Sequence, residues 1–244
     1  NSSLYCTLEV TERNESWQAD CLEIPVRALA SNGSVCESLW LIAFIDEATR
    51  VITAWSVVEG RPTGESVRAT LAAGLLTRAD GYGSVMGGIP RAITWDNGRE
   101  FLNEAVGRTC TALGIAAVPA PPHSGWRKGK IERFFRTIQT MHYDEQLGAV
   151  HGPKTFTGKR PWRGNDADLS AVASLIARTG EWIDWYNNEH RHSVLGSTPM
   201  AAWNAATAGL RVATPEQVHP LMVVAPKLRL VAKDGISFGA RKWL

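Results

Sequence analysis

The chain has 244 residues, 44% of them hydrophobic and 20% charged, the ordinary composition of a soluble globular protein with one domain and an appendage, or two small domains. No apolar run approaches the ~18 residues of a membrane span and no secretory-type leader opens the sequence, so neither a membrane protein nor an exported one is expected. A net charge of +2 carries no argument for nucleic-acid binding by itself.

Residues 1–14 are polar and aperiodic and read as a linker. A strand is expected over 17–24, with Asp20 at its middle and Pro25 closing it. A loop or hairpin connection follows, with SNGS inside it. Residues 39–45 (LWLIAFI) form a continuous apolar run, as in a strand buried on both faces; DEATR is then a turn, and 51–58 a third strand. Thr63 caps a helix whose apolar positions Val67, Leu71 and Leu75 recur every four residues. A glycine-rich loop (DGYGSVMGG) leads to a short strand over 92–95, which Asp96 follows at once. Asn103 caps a further helix, Gly114 stops it, and 115–118 make a fifth strand. Short turns early and helical crossovers later imply a mixed sheet, antiparallel first and then parallel, with helices on its faces.

The stretch PAPPHSGWRKGK holds three prolines and two glycines in twelve residues, which forbids regular structure. It delivers the chain to an amphipathic helix. There Ile131, Phe134, Phe135, Ile138 and Met141 share one face, while Glu132, Arg136 and Gln139 share another. A long helix is expected over 169–187 and a short one from Thr198. From about residue 214 the sequence reads as Pro-rich turns and short β runs, a small β appendage. The four cysteines, Cys6, Cys21, Cys36 and Cys110, have no CxxC or zinc-type spacing, which points to reduced, mostly buried thiols and a cytosolic setting.

Charge is concentrated, not evenly spread. Residues 127–136 hold five bases (Arg127, Lys128, Lys130, Arg133, Arg136) against one acid, Glu132, either a solvated face or a phosphate-binding one. Three carboxylates, Asp20, Asp96 and Glu132, stand respectively in a strand, after a strand and on a helix. Together they could hold two Mg²⁺ or Mn²⁺ ions, hard cations that take oxygen ligands and serve in-line displacement at phosphorus. Singly, each reads as a turn former, a cap or a solvated helix residue. Asp46, at the start of DEATR, is expected to bond its own turn. The pair His190 and His192 has no visible third ligand and reads as polar packing or a turn.

The order Trp17-x-x-Asp20, strand-IDEATR-strand, Trp95-Asp96-Asn97-Gly98-x-Glu100-Phe101, with 35 residues between Asp96 and Glu132, the latter within His123-Ser124-x4-Gly129-Lys130-x-Glu132-Arg133, resembles the catalytic core of retroviral integrases and DDE transposases. Tyr186-Asn187-x3-Arg191-His192-x2-Leu195-Gly196-x-Thr198-Pro199 is similar to a downstream signature of bacterial members. The trailing GISF segment resembles the start of the β-barrel of phage Mu-type transposases.

The resemblance implies a ribonuclease-H-like core over 15–205, with 206–244 the beginning of a β-barrel-like segment. It implies two Mg²⁺ (or Mn²⁺) ions, with Asp20 bridging both, Asp96 binding one and Glu132 the other. The activity implied is cleavage of DNA 3′ ends and their transfer into target DNA, in a bacterial or phage setting. A hydrolytic nuclease of the same fold and a catalytically silent DNA-binding or assembly module are the alternatives. DNA ends and target DNA, a homo-oligomer and a targeting ATPase are the implied partners. His123, Trp126, Arg127, Lys128, Lys130, Arg133 and Arg136 would face DNA, Trp126 stacking on an unpaired base or else anchoring its loop. The Pro- and Gly-rich loop makes Glu132 the expected mobile member of the three acids.

Overall fold

The computed structural model describes residues 10–80, 82–95, 104–119, 128–150, 164–222, 236–238 and 241–243. Five strands form the central sheet: β1 (Ser16–Ile24), β4 (Leu39–Asp46), β5 (Ile52–Glu59), β8 (Ala92–Trp95) and β9 (Ala116–Pro119), in the order β5-β4-β1-β8-β9. β1 runs antiparallel to β4, and β4 to β5, whereas β8 and β9 continue from β1 in parallel. The mixed sheet is therefore the expected one. The 25–38 connection contains the hairpin β2 (Ala28–Leu29) and β3 (Val35–Cys36).

Alternation along the strands sends apolar residues to both faces. On one face Trp17, Ala19, Ile42 and Phe44 pack with α1 (Gly64–Leu75) and α2 (Glu104–Ala112). On the other, Leu39, Leu41, Ala43 and Ile45 pack with α3 (Gly129–Met141) and α4 (Val172–Asn188). Helix α1 begins at Thr63 in a capping box with Ser66, and α5 (Pro199–Ala205) begins at Thr198, whose hydroxyl accepts from the Ala201 amide at 3.1 Å. Gly114 ends its helix region with φ +62°, a conformation that favours glycine. Among the described cysteines, Cys110 is buried, Cys21 and Cys36 are partly buried, and all three are free thiols. No described helix is long and apolar enough to cross a membrane.

Three local expectations are corrected. The glycine-rich loop contains a small hairpin, β6 (Arg78–Ala79) with β7 (Val85–Met86), because the Asp80 carboxylate accepts from the amides of Tyr82 and Ser84 at 3.0 and 2.7 Å. The Pro-rich stretch after residue 214 opens as a helix, α6 (Pro215–Met222), whose Val218 lies in the α1 side of the core. Thr214 and Gln217 cap it reciprocally, each side chain accepting from the other's amide at 3.3 and 3.0 Å. Beyond it, β10 (Ile236–Phe238) and β11 (Arg241–Trp243) pair as an antiparallel hairpin. Met141, expected on the inner face of α3, is 42% exposed. The next core position after Ile138 is taken instead by His142, one helical turn on and just past the helix end.

His142 is 6% exposed, with its ring against Tyr143 and Trp182 and its nitrogens facing Thr179 and Gln146. Burial first, then the charge of Arg178, pulls its pKa from 6.5 down to about 4. The neutral ring therefore stabilises the α3–α4 packing above pH 6.5, and that contribution is lost as pH falls from 6.5 through about 4. A loss of roughly 2–4 kcal/mol is expected from it. Urea unfolding at pH 7.5, 5.5 and 4 should show this slope in the wild type and a flatter one in His142→Leu. Parallel pH profiles for the two proteins would rule it out.

Candidate active site

Strand alternation puts Gln18, Asp20, Leu22 and Ile24 on the α3 side of β1, opposite Trp17 and Ala19. The most consequential of these is Gln18, a residue the sequence reading passed over. Its side-chain oxygen accepts from the backbone amides of Lys130 and Ile131 at 3.1 and 3.0 Å. A helix leaves its first amides without intrahelical partners, and Lys128, at the N-cap position, supplies no side-chain cap. A strand side chain thus does the capping. Glu132, the residue after Ile131, is exposed in the first turn of α3.

Two lysines tie the same turn to acids. The Lys128 ammonium lies 2.6 Å from Asp20 Oδ2, with side-chain exposures of 10% and 18%, and Asp20 Oδ1 accepts from the Cys21 amide at 2.8 Å. Lys130 Nζ lies 2.7 Å from Glu47 Oε2, while Ser16 Oγ donates to the other Glu47 oxygen at 2.6 Å. Glu132, the expected mobile member of the three acids, stands on a helix whose start is pinned to β1 and to the β4–β5 turn.

Asp46 bonds its own turn, as expected. Its carboxylate accepts from Thr49 N and Oγ1 at 2.9 and 2.8 Å and from Asn14 N at 2.7 Å. Burial nevertheless pushes its pKa up to about 6, against the pull of those donors. The turn ends at Arg50, whose φ of 66° is unusual for a residue with a side chain.

Of the sequence-predicted site residues, Lys128, Lys130, Glu132 and Arg133 belong to the start of α3, Asp20 is joined to it through Lys128, and Arg136 follows one turn after Glu132. Arg133 and Arg136 are exposed, beside Glu132. Asp96, His123, Trp126 and Arg127 lie outside the described residues. Strand β8, which ends at Trp95 just before Asp96 in sequence, lies alongside β1 with Thr94 opposite Gln18. Among the described residues no group of three or more His, Cys, Asp or Glu is placed to hold a metal. Asp20 does have the character of a cation ligand, a half-buried carboxylate on which a lysine ammonium already rests.

The downstream signature acts as a clamp. Asn187 accepts from Ile52 N at 2.9 Å and donates to Ile52 O at 3.3 Å, fixing the start of β5 to α4. His192 and Ser197 close a turn in which Gly196 has φ +65°, and His190 stacks on Tyr186 with ring centroids 5.3 Å apart. The reading of the two histidines as packing and turn residues is what the structure shows. Gln18 was findable: it sits two residues before Asp20, hence on the same strand face.

Comparison with known proteins was consistent in one direction. The model of the TnsB C-terminal domain family matches residues 18–148. The transposase for transposon Tn552 of Staphylococcus aureus is 24% identical over 231 residues, which cover 94% of this chain and 46% of the relative. The chain thus spans about half the length of that protein. Among solved structures, a simian T-cell lymphotropic virus intasome in complex with the PP2A regulatory subunit B56 gamma superposes with a TM-score of 0.54 at 17% identity, over 85% of this chain and 60% of the viral one. The HTLV-2 integrase catalytic core domain in complex with magnesium gives 0.48 at 18% identity, over 78% and 95%.

Gln18→Ala should leave two amides of α3 unsatisfied and cost about 1–3 kcal/mol, with faster hydrogen exchange at Lys130 and Ile131. Unchanged exchange at both amides would show that this side chain does not anchor the helix.

Proposed function

From the premise that the chain belongs to the TnsB C-terminal domain family, whose model covers just over half of it, and so to the transposases and integrases with their ribonuclease-H-like fold, we propose that it is the catalytic core of a transposase. In this reading it cleaves DNA 3′ ends and joins them to target DNA. The observation that carries the reading is the fastening of α3's first turn to β1, through Gln18 and through the Lys128–Asp20 ion pair. That fastening keeps two of the three sequence-predicted acids, Asp20 and Glu132, on elements locked together.

Asp20, Asp96 and Glu132 are the residues that would hold Mg²⁺ or Mn²⁺. The donor chemistry at Asp20 fits such an ion, since the carboxylate already balances one cation. Bound divalent ions would supply activation of a water or 3′-hydroxyl nucleophile and charge stabilisation at phosphorus. The chain's own part is positional. Gln18 fixes the pitch of α3, Lys130 and Glu47 tie it to the β4–β5 turn, and the exposed Arg133 and Arg136 offer cationic forks to DNA phosphates. Lys128, paired with Asp20, would be a further cation beside the phosphates in this reading. His123, Trp126 and Arg127 complete the DNA-facing set in this reading. The name of the Tn552 relative supports DNA transposition as the setting, and joining two ends to one target calls for more than one copy of the chain.

The Lys128–Asp20 pair also favours one competing reading, a silent DNA-binding module in which the lysine permanently neutralises the acid. Asp20→Asn, Asp96→Asn and Glu132→Gln, made singly, separate the two. Each should reduce Mg²⁺- or Mn²⁺-dependent nicking and joining of DNA at least about a hundredfold, since metal stabilisation of the transition state is worth several kcal/mol. DNA affinity should be little changed, as should the thermal midpoint of Asp96→Asn and Glu132→Gln, whereas Asp20→Asn, which strands Lys128, should lower its midpoint. Wild-type joining by any one variant would remove that acid from the assignment. Joining to a DNA 3′-hydroxyl, and not release by water alone, would distinguish a transposase from a hydrolytic nuclease.

A further inference from the structure

On the side of α3 away from Glu132 lies a cavity of about 340 Å³, lined by Arg50, Lys130, Arg133, Tyr186, His190 and His192 among others. Three of these side chains are cationic and two are imidazoles, and no carboxylate lines it. Phe134 and Tyr186 contribute aromatic surface. Such a lining disfavours an apolar ligand and favours an anion small enough to be surrounded by cationic donors.

Lys130 is neutralised by Glu47, which leaves Arg50 and Arg133 as the guanidinium groups at the cavity. Arg50 closes the turn with its amide on Asp46 O at 2.9 Å, and it does so in the left-handed region, where glycine would be unstrained. A guanidinium is carried at a backbone position that penalises side chains, which makes its side chain the feature to explain. Burial pulls the Arg50 pKa down, against the opposing pull of Tyr186, Glu47 and Asp46. The nearest acids are already engaged: Asp46 by Thr49 and Asn14, and Glu47 by Lys130 and Ser16. His192 is 8% exposed, its backbone held by Ser197 at 2.9 Å, and its Nδ1 is buried with no hydrogen-bond partner. A buried polar atom without a partner is costly and marks a place where one is missing.

We propose that this cavity is an oxyanion subsite that takes one phosphate group. Resting on the transposase reading, that phosphate is a backbone phosphate of a DNA strand lying along α3. Helical periodicity places Lys130, Arg133 and Thr137 at the cavity, at spacings of three and four, with Glu132 and Arg136 on another face of the same helix. A strand gripped by Arg50 and Arg133 therefore runs along α3, the helix that carries Glu132. Arg50 recognises the phosphate through its planar fork, His192 through an N–H once its ring is oriented, and neither takes part in the reaction.

The test uses the whole 244-residue chain and two variants, Arg50→Gly, which suits the positive φ, and Arg133→Gln on the exposed helix surface. In one arm, binding of a DNA duplex is measured without divalent ions over a range of NaCl concentrations. Each variant should bind about tenfold more weakly, as for the loss of one charge-assisted hydrogen bond, and the plot of log affinity against log salt should be shallower by about one. In the other arm, inorganic phosphate is titrated while the imidazole resonances are followed by NMR, with His192→Phe identifying the signal. Millimolar phosphate should move the His192 resonance in the wild type and leave it in place in Arg50→Gly.

Weaker DNA binding with a shallower salt slope supports the proposal whether or not free phosphate is seen. A phosphate response with unchanged DNA binding overturns DNA as the source while leaving an oxyanion site. If the wild type binds no DNA at all, the transposase reading fails, and the phosphate arm alone decides the subsite. A folded Arg50→Gly that matches the wild type in DNA affinity and salt slope, with a His192 signal that phosphate never moves, overturns the proposal entirely.

Discussion

The bond that the site depends on most is the pair of amides, from Lys130 and Ile131, shared by the Gln18 carboxamide. A helix that follows a Pro- and Gly-rich segment has no local means of fixing where it starts, and its first amides must find acceptors. The acceptor here comes from the central strand of the sheet, more than a hundred residues earlier in sequence. Its being a neutral amide matters. A carboxylate at position 18 would satisfy the amides and the helix dipole, but it would add a negative charge on the strand face that Asp20 already occupies. A carboxamide caps the helix without disturbing the ionisation of its neighbours.

Around that bond the charges are arranged in pairs, Lys128 with Asp20 and Lys130 with Glu47. Both lysines come from the leading turn of α3 and both acids from the sheet or its β4–β5 turn. The pairs therefore reinforce the Gln18 contact while keeping the local field near neutral. Glu47 has its two oxygens occupied by Lys130 and Ser16, and Asp20 has one oxygen on the Lys128 ammonium and the other on the Cys21 amide. Removing either partner of so buried a pair would strand the other charge, which is what makes it an anchor for the helix start.

Much of this was legible in the sequence because it depends on period and punctuation. The run LWLIAFI could only be a strand covered on both faces, and Thr63, Thr198 and Gly114 mark their helix ends by chemistry that acts within four residues. Asp20, Glu132 and the basic cluster stood out by residue type and spacing. The missed features are of two kinds. Helix α6 has a readable cap, Thr214-x-x-Gln217, which the flanking prolines masked; Pro215 is harmless because the first helical residue needs no amide. The other kind is tertiary. Nothing local shows that Gln18 reaches α3 or that Asn187 holds Ile52, since each is settled by a partner far away in the chain.

The tertiary contacts also explain why the downstream signature sits so far from the acids. Asn187 grips both backbone groups of Ile52, two residues after Arg50, so α4 sets where the β4–β5 turn stands. That same turn carries Asp46, whose buried carboxylate gathers Thr49 and Asn14, and Glu47, which holds Lys130. Position therefore passes from α4 to the turn, from the turn to Lys130, and from Lys130 to the first turn of α3, where Glu132 stands. A signature with no catalytic group of its own can thus govern a carboxylate more than fifty residues upstream, through this turn and through the direct packing of Phe134 on Trp182 and Tyr186.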